Sequence, residues 1–128
     1  MTREEAKQIY QRYIVCLNSR DWDNLHLHVA EDVEYNGKLV GVEGYRTMLL
    51  RDCAAIPDLF FKITQLVCDP PMIASRLDFH CTPVGSLFDL PVNGRRIRFS
   101  ENVFYELTDG KISKVWSVID KEAIKAQI

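Results

Sequence analysis

The stretch Arg96-Ile97-Arg98-Phe99-Ser100-Glu101-Asn102-Val103-Phe104-Tyr105 carries the pattern that decides the fold. Side chains of a strand alternate between its faces, so Ile97, Phe99, Val103, Tyr105 and Leu107 share one face, with Glu101 among them. Five apolar side chains on one face predict a strand from about Arg95 to Leu107 that buries that face. Downstream, Asp109-Gly110 is a hairpin signal, and a last strand runs from Ile112 to about Asp120. Upstream, Leu77, Phe79 and Cys81 alternate with Arg76, Asp78 and His80. An earlier run of Leu59, Phe61, Ile63, Gln65 and Val67 leads to this strand through Cys68-Asp69-Pro70-Pro71, and a loop from Pro83 to Pro91 followed by Asn93-Gly94 leads out of it. The second half therefore reads as an antiparallel meander of long strands.

The first half has a different period. Thr2 and Glu5 form a capping box, after which Ile9, Tyr10, Tyr13, Ile14 and Leu17 recur at helical spacing up to about Asn18. Asp21 is a candidate cap for a short second helix bearing Trp22, Leu25 and Val29. Asn36-Gly37 between Val33–Tyr35 and Leu39–Val40 is a second hairpin signal. A third helix carries Tyr45, Met48, Leu49, Cys53 and Ile56 on one stripe and stops at Pro57. Each layer has a single apolar face, so the expected fold is α+β: three N-terminal helices packed on a curved antiparallel sheet, residues 1–128 as a single domain, with an apolar pocket between the layers.

Composition narrows the function classes. The chain has 128 residues, 47% of them hydrophobic and 27% charged, which suffices for a core without metal or disulfide staples. Net charge is −2, and Arg95, Arg96 and Arg98 form the one tight basic cluster, so no nucleic acid is expected as a partner. No apolar run approaches the roughly 20 residues that span a bilayer. The start Met-Thr-Arg-Glu-Glu is acidic where a signal peptide would be basic and then apolar, which predicts a soluble, cytoplasmic protein with no membrane partner. Cys16, Cys53, Cys68 and Cys81 are scattered among apolar neighbours and read as small hydrophobes. His26 and His28 lack a third ligand at metal spacing, so neither a metal nor another cofactor is expected.

Chemistry is sought where polar groups meet the apolar face. Glu101 on such a face is costly to ionise, which raises its pKa toward the range of a general acid or base; the alternatives are a bulge that turns it outward or a bridge to Arg76. Trp116, Val118 and Asp120 share a face of the last strand, where Asp120 is either a second acid/base group or an N-cap for Lys121 to Gln127. Arg76, Asp78 and His80 project together as a polar row, and His80 becomes a proton carrier only if the strand curves it into the pocket. Tyr13 and Tyr35 offer hydroxyls to a carbonyl or enolate oxygen if they are more than core.

Asn18-Ser19-Arg20-Asp21-Trp22 after the first helix, and Val40-Gly41-Val42-Glu43-Gly44-Tyr45 leading into the third, resemble the NTF2-like superfamily. Leu90-Pro91-Val92-Asn93-Gly94-Arg95, Asp109-Gly110-Lys111-Ile112 and Trp116 through Asp120 resemble its SnoaL-like polyketide cyclase and ester cyclase branch. The resemblance implies an NTF2-like cone (a cystatin-like roll), a homodimer through the sheet backs, and cofactor-free acid/base chemistry inside the cone. Its studied cyclases close a ring by intramolecular aldol condensation, with a pocket aspartate moving the proton. This chain has Ser117 at the position of that aspartate, and Thr82-Pro83 where many ester cyclase relatives carry Thr-His.

The expectation is thus a cofactor-independent cyclase, isomerase or lyase acting on a small hydrophobic carbonyl compound. Glu101 or Asp120 would take the proton, a tyrosine or His80 would hold the enolate oxygen, and Tyr13, Tyr35, Arg76, Trp116 and Ser117 would contact the substrate. The alternative is a non-catalytic small-molecule-binding or dimerisation module on the same fold.

Overall fold

A computed structural model describes residues 1–128. Helix α1 (Arg3–Asn18) begins at the capping box: the Thr2 hydroxyl accepts from the Glu5 amide at 3.1 Å, and the Glu5 carboxylate accepts from the Thr2 amide at 3.3 Å. Its buried stripe is Ala6, Tyr10, Tyr13, Ile14 and Leu17. At its C-terminus the Asn18 side chain donates to the Phe61 carbonyl at 3.0 Å and accepts from the Phe61 amide at 2.8 Å, which fixes the helix to the sheet.

The expected second helix is a 3-10 run, Trp22–Leu27, and Asp21 gives it no side-chain cap. Val29, placed on that helix by its spacing, instead starts strand β1 (Val29–Tyr35). Asn36 and Gly37, with φ of 49° and 82°, turn the chain into β2 (Lys38–Leu39) as a two-residue hairpin. Helix α2 (Gly41–Ala55) follows, with Tyr45 and Leu49 buried and Pro57 just beyond its end. Gly41 has φ of +69°, and a Cβ there would lie 3.2 Å from the Glu31 carbonyl, so this entry to α2 suits glycine.

Strands β3 (Lys62–Asp69), β4 (Met72–Cys81), β7 (Ile97–Thr108) and β8 (Lys111–Ile119) form the long antiparallel meander, interrupted by the small β5 (Ser86–Leu87) and β6 (Leu90–Pro91) hairpin. The sheet order is β2-β1-β8-β7-β4-β3. It differs from the expected wholly antiparallel sheet in one pairing, because β1 lies parallel to β8. A short C-terminal helix, α3 (Lys121–Lys125), packs on β7 and buries Ile124. No helix is long and apolar enough to cross a membrane.

Parity along β7 is the expected one: Ile97, Phe99, Val103, Tyr105 and Leu107 are buried against the helices. In β3 it is broken. The register shifts between Ile63 and Gln65, and this bulge turns Leu66 and Cys68 inward in place of Gln65 and Val67. The result is one hydrophobic core of 28 buried residues, bounded by α1 and α2 on one side and the inner face of the sheet on the other.

Candidate active site

Between α2 and the inner face of β7 the core opens into two adjoining chambers. The inner one, about 50 Å³, lies among Tyr13, Tyr45, Tyr105, Leu77 and Val103. The outer one, about 270 Å³, lies among Ile56, Phe79, Phe88, Phe99 and Ile119 and opens beside Arg51. Tyr35, Met48, Asp52, Phe61 and Glu101 line both and so mark the waist between them. Most of the lining is apolar; the exceptions are the carboxylates Asp52 and Glu101, which line both chambers, and Arg51 at the outer one.

Glu101 reaches the cavity by parity alone, since it stands between Phe99 and Val103 on the inner face of β7. Burial raises its pKa; a hydrogen bond donated by the Ser117 hydroxyl to its Oε2 works against this, and the charge of Asp52 adds to the rise. Ser117 is itself held in place. Its amide donates to the Asn36 Oδ1 at 2.8 Å, and the Asn36 side-chain amide donates back to its carbonyl at 3.4 Å, so the β1–β2 turn fixes the backbone that aims this hydroxyl.

Asp52 comes from the opposite wall, on the last turn of α2. The residue is exposed to solvent at the mouth, yet desolvation of its carboxyl pushes the pKa up to about 6. A carboxyl at the rim, with one side toward the apolar lining, has both properties. The sequence reading passed over it. Its signal is present, however, because Asp52 stands seven residues after Tyr45 and three after Leu49, at the exposed edge of the buried stripe of the helix.

The hydroxyls divide into used and free donors. Tyr10 donates to the Ser75 hydroxyl at 2.8 Å, so in its 3.2 Å contact with Tyr105 the Tyr105 hydroxyl is the donor, and that hydrogen is spent. Tyr13 and Tyr45 pair at 2.6 Å. One of them must accept, and the acceptor keeps its own hydrogen free to donate into the inner chamber. Burial raises both phenols well above their ordinary value, and Tyr35 is raised for the same reason, so all stay neutral donors across the physiological range.

Four of the residues expected at the site lie elsewhere. Asp120 is the N-cap of α3 and accepts from the Ala123 amide at 3.1 Å, the second of its two readings. His80 is exposed on the outer face, where its Nε2 accepts from Arg96 at 3.1 Å; partial desolvation and the charges of Arg96 and Arg98 lower its pKa. Arg76 donates to the Asn102 side chain at 3.2 Å on that same face rather than to Glu101. Trp116 pairs across strands with Phe104, also on the outer face. The physical reason is common to these four: β4 and β8 carry no bulge there, and α3 begins immediately after Ile119, so none is turned inward. Tyr13 and Tyr35 line the cavity, and Ser117 reaches it through Glu101.

The model of the SnoaL-like polyketide cyclase family matches residues 7–128 of this chain. Among solved structures, a SnoaL-like polyketide cyclase from Agrobacterium tumefaciens is 47% identical with a TM-score of 0.95, and the match covers 99% of this chain and 98% of that one. TsrD from Streptomyces laurentii shares the fold at 22% identity and a TM-score of 0.86, over 99% of this chain and 96% of that one. IdmH from Streptomyces antibioticus does so at 19% and 0.82, over 95% and 96%. No curated protein sequence matches significantly.

Proposed function

The chain belongs to the SnoaL-like polyketide cyclase family, and from that premise we propose that it is a cofactor-independent acid/base enzyme of the cyclase or isomerase type, acting on a small hydrophobic carbonyl compound. One observation carries the reading: a nearly buried carboxylate, Glu101, set on an apolar sheet face at the waist of a cavity, with a single side-chain donor, Ser117. Structural carboxylates in cores are usually fully paired, because an unpaired charge there is expensive. A carboxyl left with open acceptor capacity and a raised pKa is suited to taking a proton from carbon near neutral pH.

In this reading Glu101 takes a proton alpha to the substrate carbonyl. The free hydroxyl of the Tyr13–Tyr45 pair faces the oxygen on which enolate charge develops, in a chamber that excludes most water. The inner chamber has room for a carbonyl group and little more, so the bulk of the substrate occupies the larger apolar chamber toward the mouth. Ser117, at the position where the resemblance places an aspartate, serves the carboxylate of the neighbouring strand by hydrogen bonding to it.

The test is solvent deuterium incorporation at the alpha carbon of small aromatic ketones, with 2-tetralone as the first probe, followed by mass spectrometry. Wild-type protein accelerates incorporation above buffer, and Glu101→Gln loses that acceleration. Ketone binding without any exchange would instead support the non-catalytic binding module.

The outer face of the sheet supports a proposal about assembly. Val67, Phe104, Trp116 and Val118 are exposed there, at 64%, 57%, 39% and 69%. An apolar sheet face of this kind suits a homodimer formed back to back, which leaves both cavities open.

A further inference from the structure

We infer that Asp52 is a second catalytic carboxylate, facing Glu101 across the waist of the cavity, so that one takes a proton from substrate carbon while the other delivers a proton to substrate oxygen. This rests on the reading of Glu101 as the base.

The placement is the first ground. Asp52 and Glu101 come from different layers, α2 and β7, and both line the inner and the outer chamber, so a substrate that spans the chambers passes between them. The lack of a structural task is the second. No ion pair holds the Asp52 carboxyl, and desolvation alone accounts for its raised pKa. It also sits in the last turn of α2, where the helix presents its carbonyl ends and disfavours negative charge. Helix electrostatics does not explain a carboxylate there, and although the residue is exposed at the mouth its carboxyl is partly desolvated against the cavity lining.

The third ground is coupling, since the charge of Asp52 raises Glu101. Two carboxyls that repel in one cavity lose their protons in sequence, and over the interval between the steps the pair holds one proton, an acid and a base together. The remaining ionisable groups around them are Tyr13 from α1, Tyr35 from β1, Tyr45 and Arg51 from α2 and Tyr105 from β7; β4 and β8 contribute apolar side chains and the hydroxyl of Ser117. The phenols stay neutral, so the two carboxyls set the proton count of the cavity.

The chemistry balances on a substrate with two carbonyl groups. Ionised Glu101 takes the proton from the carbon alpha to one carbonyl, and the C–H electrons pass into the enolate. The enolate carbon forms a C–C bond to the second carbonyl, whose π electrons move to its oxygen, and that oxygen takes the proton of Asp52. One proton has moved from carbon to oxygen within the substrate. Glu101 now holds a proton and Asp52 is ionised, and transfer of one proton through solvent at the mouth restores the start. The productive form for this step has Glu101 ionised and Asp52 protonated; the Ser117 donor favours it, while burial and the charge of Asp52 hold the proton on Glu101, so the step draws on the proton-shifted form of the pair.

A measurement without substrate tests the pair. In protein labelled with 13C at the glutamate carboxyls, with Glu101 assigned by its absence in Glu101→Gln, the apparent pKa of Glu101 is expected to fall by half a unit or more in Asp52→Asn. In parallel, the pH profile of 2-tetralone exchange is expected to lose one limb in Asp52→Asn and to regain it in Asp52→Glu. A Glu101 pKa and an exchange profile both unchanged in Asp52→Asn overturn the inference, and loss of exchange in Glu101→Gln alongside them leaves the base reading intact. Stability identifies a misfolded variant. Because the folded pKa of Asp52 is raised above its unfolded value, the wild type is penalised increasingly from about pH 4 to about pH 6 and by a constant amount above, so Asp52→Asn gains stability over that window in urea denaturation.

Discussion

Ser117 illustrates how one hydroxyl sets the state of a buried acid. It donates to Glu101 Oε2 and favours the charged carboxylate, against burial and the charge of Asp52. Ser117→Ala removes the donor, so the Glu101 pKa rises further and the acidic limb of the exchange profile, which ionisation of this base sets, moves to higher pH. A shift of about one pH unit is the expected size for loss of one charge-assisted hydrogen bond. An NMR titration of Glu101 in the variant checks the direction, and a downward shift would contradict it. At this scale the sequence is informative where parity decides and silent where it does not. Glu101 could be placed on the inner face because β7 has no irregularity before Glu106. Trp116 drew attention as an aromatic, yet its parity puts it with Val118 and Asp120 on the outer face, which no residue identity announces. Asp52 was missed because a polar residue on a helical stripe reads as an interruption of the stripe, although its spacing from Tyr45 placed it there.

The elements are joined at a few specific points. Asn18 bonds both backbone groups of Phe61, and through this junction α1 holds the start of β3 against the core. Asn18→Ala leaves a part-buried amide and carbonyl without partners, and a loss of about 1–3 kcal/mol is expected in urea denaturation, with exchange chemistry little altered. Local signals were legible here: the capping box of α1, the Asn36-Gly37 and Asp109-Gly110 turns and the stop at Pro57 all rest on chemistry within a few residues. Long-range choices were not. The bulge after Ile63 adds one residue without a compositional mark and reverses the parity of the rest of β3. The parallel pairing of β1 with β8 joins segments about eighty residues apart, and no period within either strand names its partner.

In the whole molecule the sheet works on two faces. The concave side, with α1 and α2, encloses the chambers and their two carboxylates. The convex side carries the exposed Val67, Phe104, Trp116 and Val118. If that side is the seam of a homodimer, Trp116→Glu places a charge in an apolar contact and shifts the protein to monomer in light scattering, with its fold retained; a wild type that is already monomeric at tens of micromolar would remove the proposal. Family membership accounts for the shape of the cone. The assignment of acid/base chemistry rests on the particular groups in it, above all on Glu101. The most direct measurement is therefore the rate of deuterium incorporation into 2-tetralone at pH 7 in wild type and in Glu101→Gln, corrected for buffer. The account predicts a fall of about a hundredfold or more in the variant, the scale of a lost general base, and rates within a factor of about two of each other would contradict it.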